Sequence, residues 1–142
     1  MERPPHLGLH HLALRTRDLE AMERFYTDLL GFHVEWRPDA DTIYLTSGSD
    51  NLALHRSETA EPASVPGGRL DHLGLLLETA EDVDRWHIYL ARKGVKITAL
   101  PRTHRDGARS FYCEDPEGNG VQLIHHPPLA RPPAVAPGQQ VR

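Results

Sequence analysis

The chain repeats itself, and that duplication constrains its fold more than any other feature. The segment from His10, HHLALRTRDLEAMERFYTDLLGFHV, and the segment from Asp71, DHLGLLLETAEDVDRWHIYLARKGVKI, follow one pattern. Placing His11 on His72 brings Leu12 onto Leu73 and Leu14 onto Leu75. After a short gap in the next turn, Tyr26 falls on Tyr89, Gly31 on Gly94 and Val34 on Ile97. Identity is low, but each match sits where a strand, helix or turn needs that residue type. The repeat is longer than the usual solenoid periods, so it predicts two supersecondary units rather than a stacked array.

Each half reads as a strand, a helix and three strands. Leu9 to Arg15 alternates at period two, and Asp18 is placed to cap a helix with Leu19, Met22, Phe25, Tyr26, Leu29 and Leu30 on its apolar stripe. Gly31 ends that helix in the left-handed conformation. Strands are predicted near 33–37, 42–46 and 52–56, separated by PDAD and SGSDN. The second half repeats the scheme with a strand at 70–77, a helix at 81–93 and strands near 95–100, 110–114 and 120–125. This divides the chain into a flexible N-terminus at 1–7, a first βαβββ module at 8–57, a linker at 58–69, a second module at 70–126 and a Pro-rich extended tail at 127–142. The tail, PPLARPPAVAPGQQVR, has five prolines and no apolar periodicity.

Composition narrows the function classes. Among 142 residues, 16 Lys and Arg face 20 Asp and Glu, a net charge of −4. Such a chain lacks the basic field that binding to phosphate backbones needs, so no nucleic-acid partner is expected. No apolar run is long enough to span a bilayer and the N-terminus lacks a signal peptide's apolar region, so a cytoplasmic protein without a membrane partner is expected. Cys113 is the single cysteine, which excludes an internal disulfide and a Cys-rich zinc site. Histidine is abundant, at 10 residues, which raises acid/base and metal chemistry.

Strand parity sorts those histidines. Leu12 and Leu14 share the helix-facing side of the first strand, leaving His11, Ala13 and Arg15 on the other. Likewise Leu73, Leu75 and Leu77 leave His72, Gly74 and Leu76 opposite. Each histidine thus has a very small residue two places on, so the adjoining surface is recessed. In the last strand Gln122 faces with the histidines, and its counterpart in NLALHR is Ala53, with His55 of the same parity. A lone strand histidine is more often a hydrogen-bonded structural residue than a ligand, but two at matching positions of a duplicated unit point toward a site. Cys113 has the opposite parity to Tyr112 and is expected to pack against a helix as a small hydrophobe.

The motifs HHLALRTRDLEAMERFYTDLLGF, DHLGL and FYCEDPEGNGVQL resemble the vicinal oxygen chelate superfamily, which includes glyoxalase I, extradiol dioxygenases, fosfomycin-resistance proteins and bleomycin-resistance proteins. The resemblance spans about Leu9 to His125. It implies an α+β fold of two βαβββ modules, forming a curved, cup-like mixed sheet with helices on the outer face. It also implies a divalent metal, Zn, Fe, Mn or Ni, held by His11, His72 and Gln122. Gln122 stands where the family usually has glutamate, so the set brings no negative charge and holds a cation less tightly. The fourth glyoxalase I ligand falls on Ala53, which cannot coordinate, and disfavours that four-ligand site. The missing carboxylate also disfavours ferrous oxygen chemistry, and Ala13 replaces a threonine of the fosfomycin-resistance proteins.

The resemblance implies an enzyme that chelates a small oxygen-rich substrate through two adjacent oxygens: a lyase, isomerase or dioxygenase. Tyr112 and Ser110 then position the substrate, Arg15 meets an anionic group on it and His55 carries a proton, with Tyr112 also a catalytic candidate. Each has an ordinary alternative as a wall or surface residue. The loop PRTHRDGAR, with Arg102, His104, Arg105 and Arg109, either closes over an anionic ligand or is a solvated surface loop. The contrasting reading is a metal-free binding protein of the bleomycin-resistance type, with Trp36 and Tyr44 as stacking surfaces for a drug. By analogy the chain forms a homodimer by exchanging modules, which puts His11 of one chain beside His72 and Gln122 of the other.

Overall fold

A computed structural model describes residues 1–62 and 68–127. The middle of the predicted 58–69 linker and the predicted tail beyond Pro127 therefore lie outside the described residues. The chain divides into two compact units, Met1–Gly68 with Pro116–Gly118, and Arg69–Asp115 with the chain from Asn119. Each contains one four-stranded mixed sheet, giving an α+β protein of two βαβββ modules.

In the first unit, β1 (His11–Thr16) is followed by α1 (Leu19–Arg24), then β2 (His33–Asp39), β3 (Thr42–Thr46) and β4 (Asn51–Arg56). The sheet order is β1-β4-β3-β2, with β1 and β4 parallel and the other pairs antiparallel. Burial alternates along β1: Leu14 and Thr16 are buried, while His11, Ala13 and Arg15 are exposed. Ile43, Leu45, Leu52 and Leu54 continue the buried side, and α1 packs on β4 through Leu19 and Met22. Asp18 caps α1, its Oδ1 accepting from the Ala21 N–H at 3.0 Å, a bond worth about 1 kcal/mol.

The helix does not continue as a plain α-helix to Gly31. Phe25–Leu29 forms a π-helical turn, with the Leu30 N–H donating to the Phe25 carbonyl at 3.2 Å. Widening the turn by one residue lets Phe25, Tyr26 and Leu30 all be buried. Gly31, at φ +78°, then turns the chain, as Gly94 does at φ +80° in the second unit.

The second unit comprises β5 (Leu73–Leu76), α2 (Ala80–Arg92), β6 (Ile97–Thr103), β7 (Arg109–Glu114) and β8 (Gly120–His125). Its order, β5-β8-β7-β6, and its strand directions reproduce those of the first unit. Thr79 caps α2, accepting from the Asp82 N–H at 3.1 Å, and Val83 and Leu90 are buried on its inner side. Phe111, Cys113, Val121 and Leu123 complete that core.

Strand ends differ from the sequence expectation at two proline sites. β2 runs through Pro38 to Asp39 and β6 through Pro101 to Thr103, although both segments read as turn or loop in sequence. Both are edge strands, where a residue without an N–H is tolerated, and both carry two register shifts. The shifts match between units: Trp36 pairs with Tyr44 and Asp39 with Thr42, as Ala99 pairs with Tyr112 and Arg102 with Ser110. β5 is shorter than expected and begins one residue after His72.

Two consequences are measurable. Leu54→Ala removes a fully buried side chain and is expected to cost about 2–5 kcal/mol, read as a lower urea midpoint. The Cys113 thiol is pushed up to about 12 by burial, with Asp115 and Glu114 adding to the effect. It stays protonated at pH 8, so a disulfide reagent should label the protein only once it has been unfolded.

Candidate functional site

Register fixes which side chains share the sheet faces turned away from the helices. In the first unit Ala13 lies beside Ala53, and Tyr44 lies on the far side of Ala53. One row along, Arg15, His55 and Thr42 are neighbours, and one row back His11 pairs with Asn51. Trp36 stacks on Tyr44 with ring centroids 5.7 Å apart and an interplanar angle of 23°, and is 62% exposed. His10, His11, Glu35, Trp36, Tyr44 and Asn51 line a hollow of about 310 Å³. Thus His11, Trp36 and Tyr44 come together. His55 sits apart from that hollow, with Nδ1 3.4 Å from Thr42 Oγ1 and its ring edge against Tyr44. Arg15 is exposed on the strand beside it.

The equivalent row of the second unit is Gly74, Gln122 and Tyr112. Gln122 Nε2 donates to Ser110 Oγ at 3.0 Å. The amide oxygen therefore points the other way, over Gly74, where it lies 3.9 Å from the position a Cβ would take. Gln122 Oε1 has no hydrogen-bond partner among the described residues. His72 is a diagonal neighbour of Gln122 on the same face, just ahead of β5. Its Nδ1 is 2.6 Å from Asp71 Oδ2, and its ring meets Tyr112 edge-on at 5.3 Å. Asp71 thereby takes Nδ1 and leaves Nε2 as the available nitrogen, the arrangement by which a carboxylate orients a ligand histidine. Gly120 lies under this residue: a Cβ there would stand 3.2 Å from both the His72 Cβ and the Asp71 carbonyl oxygen, so a side chain at 120 would push this segment aside by a few tenths of an ångström.

Beside Gln122 opens a cleft of about 790 Å³, lined in part by Arg102, His104, Arg105, Gln122 and Ile124. The basic segment seen in sequence is thus divided. Arg102, His104 and Arg105 border the cleft, whereas Arg109 is tied to Asp84 of α2 at 2.7 Å and holds that carboxyl below its usual range. Ser110 is 2% exposed and does not line the cleft itself; its Oγ accepts from Gln122 and lies 2.9 Å from His104 Nε2, two residues that do. Tyr112 is half-buried, its hydroxyl without a hydrogen-bond partner among the described residues.

In the second unit His72 and Gln122 supply one imidazole nitrogen and one amide oxygen, and His11 is the equivalent histidine of the first unit; among the described residues no three His, Cys, Asp or Glu side chains gather as a metal site. Such neutral N and O donors suit a borderline divalent cation, and the free Oε1 and the Asp71-held ring of His72 are what a ligand pair requires. Two neighbours were not singled out by sequence reading: Asp71, whose only signal is its position directly before His72, and His10, whose Nδ1 is 3.0 Å from His11 Nδ1.

The family model described as "Glyoxalase/Bleomycin resistance protein/Dioxygenase superfamily" matches residues 8–123. The "Iron-dependent extradiol dioxygenase" of Rhodococcus jostii is 34% identical over 128 residues, covering 82% of this chain and 42% of that protein. The "Glutathione transferase FosA" of Serratia marcescens is 30% identical over 119 residues, covering 82% of this chain and 79% of that protein. The chain spans about two-fifths of the length of two of the dioxygenases it matches. The crystal structure of a lactoylglutathione lyase from Agrobacterium tumefaciens superposes with a TM-score of 0.70 at 23% identity, covering 86% of this chain and 96% of that one; this shows a shared fold.

The Asp71 contact is testable without any ligand. In ¹⁵N spectra at pH 8, His72 should carry its proton on Nδ1, and Asp71→Ala should give a mixture of the two neutral tautomers.

Proposed function

The chain belongs to the Glyoxalase/Bleomycin resistance protein/Dioxygenase superfamily, and from that membership we propose that it is a metal-dependent enzyme acting on a small oxygen-rich molecule, as a lyase, isomerase or dioxygenase. The observation that carries this reading is the pairing of a carboxylate-oriented His72 with a Gln122 whose free oxygen lies over Gly74 on the same face. His72 and Gln122, with His11 at the position equivalent to His72, are the proposed ligands of a divalent ion, Zn, Fe, Mn or Ni. A bound divalent ion supplies Lewis acidity, stabilising negative charge that develops on substrate oxygens.

The chain's own residues do the rest. Tyr112, with a free hydroxyl beside His72, binds the substrate and donates or accepts a proton at its phenolic oxygen. Ser110 steadies Gln122 and His104 at the cleft, a step removed from the substrate contact expected of it, and the guanidinium groups of Arg102 and Arg105 attract a negatively charged arm of the substrate. In the first module His55 is a proton carrier and Arg15 an anion contact, with Trp36 and Tyr44 forming an aromatic wall. The proposal further takes the chain to be a homodimer with a small molecule as its other partner, and to work in the cytoplasm, where a lone buried thiol stays reduced.

A second reading has an observation of its own. The exposed Trp36 stacked on Tyr44 beside a hollow of about 310 Å³ suits a flat aromatic ligand, which favours a metal-free drug-binding protein of the bleomycin-resistance type.

Elemental analysis of untagged protein purified without chelator separates the two. The enzyme reading expects about one divalent ion per chain, bound or taken up on addition. Less than about a tenth of an equivalent under both conditions would overturn it and leave the aromatic-ligand reading. Gln122→Glu adds a negative charge to the ligand set and should tighten the ion about ten-fold by calorimetry. Unchanged affinity would remove Gln122 from the set. Light scattering that finds only monomer would overturn the dimer.

A further inference from the structure

One stripe of α2 stays outside the core of its module. Asp82, Trp86, Tyr89 and the C-cap residue Lys93 follow at intervals of four, three and four residues, the spacing that keeps side chains on a single helix seam. The core lies on another side of the helix, where Val83 and Leu90 are fully buried. Tyr89 is 37% exposed, whereas Tyr26, its counterpart in the repeat, is fully buried within the π-helical turn. The Trp86 and Tyr89 rings meet edge-on with centroids 5.5 Å apart, and Lys93 Nζ is 5.7 Å from the centre of the Tyr89 ring. Asp82, Arg85, Trp86 and Tyr89 border a hollow of about 370 Å³. Those are positions i, i+3, i+4 and i+7, the four that make a socket for a side chain from a facing helix.

The charges along the stripe say what fits it. Asp82 marks its N-terminal end, with Glu81 beside it, and Lys93 its C-terminal end, with Arg92 beside it. A face that is acidic at one end, aromatic in the middle and basic at the other is complementary to itself when turned end for end. Asp82 and Lys93 are equally far along the helix from the point between His87 and Ile88, and so are Trp86 and Tyr89. A two-fold axis at that level therefore sets each Asp82 beside the Lys93 of a second copy, and each Trp86 beside a Tyr89. The same operation brings Tyr89 of the second copy level with residue 86, at the middle of the socket. Arg85 already donates to Asp82 Oδ1 at 3.0 Å, which leaves Oδ2 to meet the incoming lysine.

We propose that α2 docks antiparallel on α2 of a second copy of this chain, about a two-fold axis level with the His87–Ile88 bond, with Tyr89 of each copy seated in the hollow of the other. The helix is about 20 Å long, which puts the contact at the low end of specific interfaces, about 1,200 Å² in all, and makes the association weak and concentration-dependent. It uses no strand and none of His11, His72 or Gln122, so it does not rest on the metal reading or on module exchange. Where modules are exchanged as well, it joins the exchanged dimers into a larger assembly.

Sedimentation velocity tests it. The average mass of wild-type protein should rise with concentration between about 10 μM and 1 mM. Asp82→Lys sets a lysine against Lys93, and Lys93→Asp sets an aspartate against Asp82, so each alone should weaken association about ten-fold. An equimolar mixture of these two variants should regain the wild-type strength, because in a mixed pair both end contacts are again acid against base. Recovery of that kind requires an antiparallel contact in this register. Tyr89→Ser should weaken association by more than about ten-fold, and it carries the test if Asp82→Lys, which also loses its bond to Arg85, does not fold. Three results would overturn the proposal: a wild-type mass independent of concentration, association unchanged by Tyr89→Ser and by both charge variants, or a mixture no stronger than its components. The first of these would leave the stripe to a different occupant, such as the Pro-rich segment after Pro127.

Discussion

The site rests on the parallel pairing that opens and closes each module. β1 lies beside β4 with Ala13 against Ala53, and β5 lies beside β8 with Gly74 against Gln122. Because side chains alternate strictly along a strand, this one register decides for every residue whether it enters the core or the open face. It puts Leu52, Leu54, Val121 and Leu123 under the helices and leaves Gln122 above a glycine. A slip of one residue in β8 would bury Gln122 without a partner and expel Leu123, a cost no surface contact could offset. The chemistry of the open face is thus held in place by apolar burial on the other side of the same strands.

Much of this was legible in the sequence, because the signals are local and periodic. Duplication gave the module count, alternation gave the faces, and Asp18, Gly31 and Gly94 marked helix ends through hydrogen-bonding and φ preferences that do not depend on tertiary context. What escaped was non-local or irregular. Pro38 and Pro101 carry the strongest turn signal a sequence can give, and only an edge position with a bulge lets them remain in strands. The π-helical turn at Phe25–Leu29 has no sequence signature of its own; it follows from the demand that Phe25, Tyr26 and Leu30 all reach one core.

The candidate site divides along the same line. Parity alone put His11 with Ala13 and His72 with Gly74. Parity did not reveal Asp71 as the partner of His72, since neighbours on a strand point to opposite faces; the contact forms because His72 precedes the first residue of β5. Nor could it connect His104 to Ser110, because a loop residue has no parity. The glutamine that replaces glutamate looked in sequence like a simple loss of charge. In the structure it is an oriented group, with its nitrogen engaged and its oxygen free.

The matched bulges of β2 and β6 place Asp39 and Arg102 at corresponding points, opposite Thr42 and Ser110. One copy of the duplicated frame thus carries an acid where the other carries a base. Asp39 spends its carboxylate on the N–H of Asp41 within its own turn, whereas Arg102 reaches a histidine at the mouth of a cleft. The two modules thus keep the same strand pairing at this point while carrying side chains of opposite charge. A difference in charge between the two halves therefore needs no change in the frame that carries it.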